Sequence, residues 1–116
     1  MQSVAIIVVD LMFQSRIEAA VRAAGLSPIV ATTPGEVDAA VGERPALAVV
    51  DLHADGIDAG QAIAEAKGAG VPVLAFGRHT DAAALRAARD AGADRVVPRS
   101  QLVEEMHELI ASLIAP

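Results

Sequence analysis

Two aspartates and an arginine stand immediately after short apolar runs, in the segments Asp10-Leu11-Met12-Phe13, Asp51-Leu52-His53 and Pro98-Arg99-Ser100. A fourth segment of this kind is Gly77-Arg78-His79. Carboxylates at such places can hold a hard cation or accept a phosphoryl group while an arginine neutralises charge. The plainer reading is an acid that caps the next turn or pairs with Arg99 as a planar fork, locking the pocket in one state. His53, Asp51 and Asp55 are the residue types that ligate transition metals, but two acids and one histidine in a loop arise often by chance, and no metal site is assigned. His53 is expected as a solvated loop residue, and His79 and His107 on the surface. With no cysteine in the chain, there is no disulfide, no thiolate nucleophile and no cysteine zinc site.

The apolar runs that must position these residues are Val4 to Val9, Pro28 to Ala31, Ala46 to Val50, Val71 to Phe76 and Arg95 to Val97. They are nearly continuous rather than alternating, as expected of parallel strands covered on both faces. Between them lie helically spaced apolar sets: Ile17, Ala20, Val21 and Ala24; Val37, Ala40 and Val41; Ala62, Ile63 and Ala66. The last segment predicts an amphipathic helix, with Leu102, Val103, Met106, Leu109, Ile110, Leu113 and Ile114 on one side and Glu104, Glu105 and Glu108 off it. Thr33-Pro34-Gly35-Glu36 reads as a helix start with a capping box, and Gly25, Gly42 and Gly92 as helix stops. Five strand-helix units predict an α/β, flavodoxin-like, doubly wound parallel sheet of order 2-1-3-4-5, with any site outside the carboxyl ends of the strands.

The 116 residues are enough for one core and are read as a single domain, residues 1–116. A formal net charge of -6 argues against a nucleic-acid surface. No basic leader and no membrane-length apolar run is present, so a cytoplasmic protein that does not contact membrane is expected.

The stretch Ala46 to Gly60, ALAVVDLHADGIDAG, together with Val71-Pro72-Val73-Leu74 and Ala91-Gly92-Ala93-Asp94, resembles the receiver domain of two-component response regulators over essentially the whole chain. The resemblance places Asp51 at the phosphoacceptor position, Asp10 in the acidic pocket and Arg99 at the position of the pocket cation. It also implies departures from the family. Leu11 stands where a second acid helps hold Mg²⁺, Gly77 where a hydroxyl senses the phosphoryl group, Val96 where an aromatic residue is usual, and Arg99-Ser100 where a Lys-Pro pair is usual. Asp51 to Gly56 additionally fits D-x-H-x-x-G, which resembles the cobalt-ligating motif of cobalamin-binding domains. That motif follows the first strand in its own family and the third here, and Ser100-Gln101-Leu102 is followed by no Gly-Gly, so cobalamin is a remote alternative.

The expectation is therefore a non-enzymatic pseudo-receiver without a cofactor, acting by binding a signalling protein, whether a histidine kinase or an effector. Leu11, Met12, Phe13 and Leu52 are expected to plug the pocket mouth or to present an apolar patch, with Phe13 among the candidate interface residues. Arg86, Arg89 and Arg95, beside Glu104, Glu105 and Glu108, offer a self-complementary surface for a homodimer through the fourth and fifth helices. The alternative is a conventional acceptor that takes phosphate on Asp51 from a histidine kinase with Mg²⁺. A third reading is an assembly domain that forms one piece of a longer protein.

Overall fold

The computed structural model describes residues 2–114. The outermost ends of the expected 1–116 domain, Met1, Ala115 and Pro116, lie outside the described residues. Strands β1 (Ser3–Ile7), β2 (Ser27–Val30), β3 (Leu47–Asp51), β4 (Val73–Gly77) and β5 (Arg95–Pro98) alternate with helices α1 (Leu11–Ala23), α2 (Pro34–Gly42), α3 (Ala59–Gly68), α4 (Ala82–Asp90) and α5 (Arg99–Leu113). All strand pairs are parallel and the order is β2-β1-β3-β4-β5, as the sequence predicts.

Alternate side chains of the central strands feed two unlike cores. On the face covered by α1 and α5, Val4, Ile6, Leu47, Val49, Leu74 and Phe76 meet Ile17, Val21, Leu102, Leu109 and Ile110. The opposite face is alanine-rich, with Ala5, Ala48 and Ala75 against Ala40, Ala62, Ala66 and Ala88 of α2, α3 and α4. Small side chains let those three helices lie close to the sheet. Of α4, Ala88 alone is fully buried.

The boundaries differ from expectation where side chains intervene. β1 stops at Ile7 rather than Val9 because Gln14, itself buried, turns its amide back to the strand end, donating from Nε2 to Val8 O at 2.6 Å and to Val9 O at 3.4 Å. Thr33 caps α2 as predicted, accepting from Glu36 N–H at 3.2 Å, but Glu36 Oε1 reaches Thr32 N–H and Oγ1 at 2.8 and 2.9 Å. Hydrogen bonds from the Thr32 backbone and then its hydroxyl hold the Glu36 carboxyl below its ordinary value. Gly42 remains inside α2, and it is Arg44, at φ 52°, that turns the chain out of the helix. α5 follows β5 without a loop and is interrupted at Glu105 (φ -120°, ψ 24°). The interruption breaks the regular stripe: Val103 is 41% exposed although it was expected on the buried side, and Glu105 is half-buried. No helix among the described residues is long and apolar enough to cross a membrane.

Candidate functional site

The carboxyl ends of β1, β3, β4 and β5 bring Asp51, His53, Gly77, Arg99 and Phe13 together. Asp51 closes β3 and is 3% exposed. Its Oδ1 accepts from the His53 backbone N–H at 2.9 Å, the usual way in which an aspartate closes a turn on its own backbone two residues on. Its Oδ2 lies 3.8 Å from Arg99 Nη2. That distance makes an ion pair but not the forked hydrogen bond expected from the sequence.

The Arg99 guanidinium is oriented by aromatic faces. Its carbon sits 4.7 Å from the centroid of Phe13 and 6.0 Å from that of Phe76. These are the chain's two phenylalanines, and they stack with centroids 5.5 Å apart at 22°. A guanidinium over a ring face contributes roughly 0.5–1 kcal/mol where water has access, and Arg99 retains 35% side-chain exposure. Held this way, its Nε is buried without a protein acceptor. Phe13, expected at an interface, is half-buried and floors the pocket.

Asp10 is exposed and serves as the N-cap of α1, its Oδ1 accepting from Met12 N–H at 2.9 Å and Phe13 N–H at 3.1 Å. No hydrogen bond or ion pair among the described residues joins it to Asp51 or Arg99. Of the four residues expected to form a plug or an apolar patch, Leu11 and Met12 are exposed as a patch requires, 76% and 71%, whereas Phe13 and Leu52 are half-buried.

Gly77 ends β4 and is buried; a Cβ there would stand 3.1 Å from His53 Nε2 and 3.2 Å from Leu52 Cδ1. The ring of His53 thus fills the room where the family resemblance expects a hydroxyl side chain. His53 Nε2 accepts from the Arg78 N–H at 3.1 Å, which corrects its expected place as a solvated loop residue. Sequence reasoning missed this contact and the Gln14 contact. The Asp-x-His pattern pointed at the residue, but the partner lies 25 positions away and leaves no local signal.

Mg²⁺ requires oxygen ligands in a near-octahedral array. Of the oxygens at hand, Asp51 Oδ1 is engaged by His53, Oδ2 faces a guanidinium, Asp10 Oδ1 caps a helix and Leu11 offers none. Among the described residues that leaves Asp10 Oδ2 as the one carboxylate oxygen of the set with no hydrogen bond or ion pair, too few for the array the ion requires. Among the described residues no three His, Asp or Glu side chains converge on one point.

Away from the pocket, Arg86, Arg89, Arg95, Glu104 and Glu108 are exposed, and none makes an ion pair among the described residues. Val96 is half-buried in β5, which is an edge strand. A groove of about 260 Å³ between α2 and α3 is lined by Val37, Asp38, Ile57, Asp58 and Glu65, among others. There burial, and then hydrogen bonding and charge from Asp38, push the Glu65 carboxyl above its ordinary value.

No protein-family model matches the sequence, and no curated protein matches it. Solved structures do. The chain superposes on the receiver domain of NtrX from Brucella abortus with a TM-score of 0.83 at 16% identity, covering 95% of this chain and 96% of that one. A CheY-like receiver domain from Methanospirillum hungatei gives 0.76 at 17% identity, covering 97% and 96%. A Burkholderia pseudomallei response regulator, solved with a phosphorylated aspartic acid, calcium and citrate, gives 0.81 at 19% identity over 97% of this chain and 66% of that one. The chain therefore has the flavodoxin-like fold of response-regulator receiver domains.

Proposed function

We propose that this chain is a receiver-type signalling module that acts by binding other proteins without needing phosphate on Asp51. The observation that carries the reading is the state of that carboxylate: buried, bonded through Oδ1 to His53 N–H, and faced at Oδ2 by an arginine held on the Phe13–Phe76 stack. In phosphoryl transfer the protein contributes position and charge neutralisation, with Mg²⁺ carrying much of the second. Here a tethered guanidinium provides the positive charge, Leu11 replaces an acid, and the room for a hydroxyl at Gly77 is taken by His53. The module itself is non-enzymatic and uses no metal. Its partner is a signalling protein, a histidine kinase or an effector, met at the pocket rim around Leu11 and Met12 or at the α4–α5 face carrying Arg86, Arg89, Arg95, Glu104 and Glu108, where a homodimer would also form.

Titration of the protein with Mg²⁺, followed by the amide resonances of residues 51 to 53, tests this reading. The expected result is no saturable shift at millimolar Mg²⁺. A saturable shift that disappears in Asp51→Ala would restore the conventional acceptor, phosphorylated on Asp51 with Asp10 and Arg99 assisting.

A further inference from the structure

We infer that His53 is a proton-sensitive latch that joins the β3–α3 loop to the β4–α4 loop and so sets the position of α4.

The latch extends the sheet by one rung. The β3–β4 register runs to Asp51 opposite Phe76, and the Leu52 N–H still donates to Phe76 O at 2.9 Å. Past that point the backbones part. The next donor along the β4 side, Arg78 N–H, is met by an imidazole nitrogen, His53 Nε2 at 3.1 Å. His53 is fixed from behind because its own N–H is bound by Asp51 Oδ1. The ring can come this close because Gly77 has no Cβ; one added there would be 3.1 Å from the same nitrogen.

What the latch holds is the start of α4. Asp81 N–H donates to Arg78 O at 3.0 Å, so Arg78 to Asp81 form one turn, and Asp81 then caps the helix through Ala84 N–H at 3.0 Å. α4 fully buries Ala88 alone, so that turn is part of what places the helix.

An imidazole nitrogen accepts a hydrogen bond only when it carries no proton, so the latched ring is neutral with its proton on Nδ1. A second proton places an N–H on Nε2 facing the N–H of Arg78, and the rung opens. The charged and titratable groups on the segments that meet at the ring are Asp51 and Asp55 on its own side, Arg78, His79 and Asp81 on the loop it bonds, and Arg99, which faces Asp51. Leu52 supplies the apolar wall.

The test is the amide exchange of Arg78, corrected for intrinsic rate, at about pH 8 and about pH 5, either side of the usual histidine range near 6.5. Wild type, His53→Gln and His53→Ala are compared, with the amides of Val49 and Ala75 as controls for an intact sheet. In the wild type, protection of Arg78 is expected to fall by roughly fivefold or more at the acid pH, the scale of one net hydrogen bond. Gln keeps an acceptor without titrating, so its protection should not change with pH, and the Ala variant should lack protection at both values. Equal wild-type protection at the two pH values, a Gln variant that keeps the pH dependence, or an Ala variant that stays protected would each overturn the latch. None of these readouts depends on whether Asp51 accepts phosphate.

Discussion

A methyl group at Gly77 would meet His53 Nε2 at 3.1 Å and Leu52 Cδ1 at 3.2 Å. The leucine end can rotate away, but the imidazole is held at both its backbone and its ring. Gly77→Ser is therefore expected to destabilise the fold by about 1–3 kcal/mol, the usual cost of overfilling a packed site. In a His53→Ala background the same change should cost less, because the ring is gone; denaturant midpoints of the four proteins would measure the coupling. Equal costs in the two backgrounds would show that His53 is not what fills the space. At this scale the sequence made Asp51 and Arg99 legible, because residues just past strand ends gather at one edge of a parallel sheet. It did not reveal that Phe13 and Phe76 stack under Arg99, that Gln14 ends β1, or that His53 spans to Arg78. Those contacts depend on which side chain turns inward, and Leu11, Met12 and Phe13 are equally apolar to a reader of the sequence.

Elements were legible in kind and order, less so at their ends. Continuous apolar runs marked five buried strands, whereas Val8 and Val9 belong to the same run and yet leave the ladder for a glutamine side chain. One junction is closed by a buckle that no local pattern announced: Lys67 of α3 lies 2.8 Å from Asp94 Oδ2, and the same oxygen accepts from Val73 N–H at 2.7 Å. Burial pushes the Asp94 carboxyl up, but these two donors outweigh it and hold the group below its ordinary 3.8. A carboxyl depressed in the folded state stabilises above its unfolded pKa and loses that contribution as pH falls through the folded one. Asp94→Asn is thus expected to cost about 1 kcal/mol at neutral pH, a modest figure because both side chains are about a third exposed. The difference should vanish in thermal unfolding well below pH 3.8. Glu65 has the opposite sign. Raised by burial and by Asp38, it weakens the fold when ionised, so Glu65→Gln should raise the melting temperature at neutral pH and leave it unchanged below the carboxylate range.

Across the whole molecule, a sheet with larger apolar side chains on one face and alanines interleaved with Ile7, Val50 and Val73 on the other places its ionisable pocket where the strand ends meet. The fold is that of receiver domains, as the superpositions on NtrX and the other receivers indicate, while Asp51 is engaged by the His53 N–H and by Arg99. Whether Asp51, so engaged, can still take a phosphoryl group separates the proposed module from a conventional acceptor. The direct measurement is the intact mass of wild type and Asp51→Ala after incubation with Mg²⁺ and acetyl phosphate. No phosphate adduct is expected on either protein, and a Mg²⁺-dependent adduct on the wild type that is absent from Asp51→Ala would overturn the proposed function.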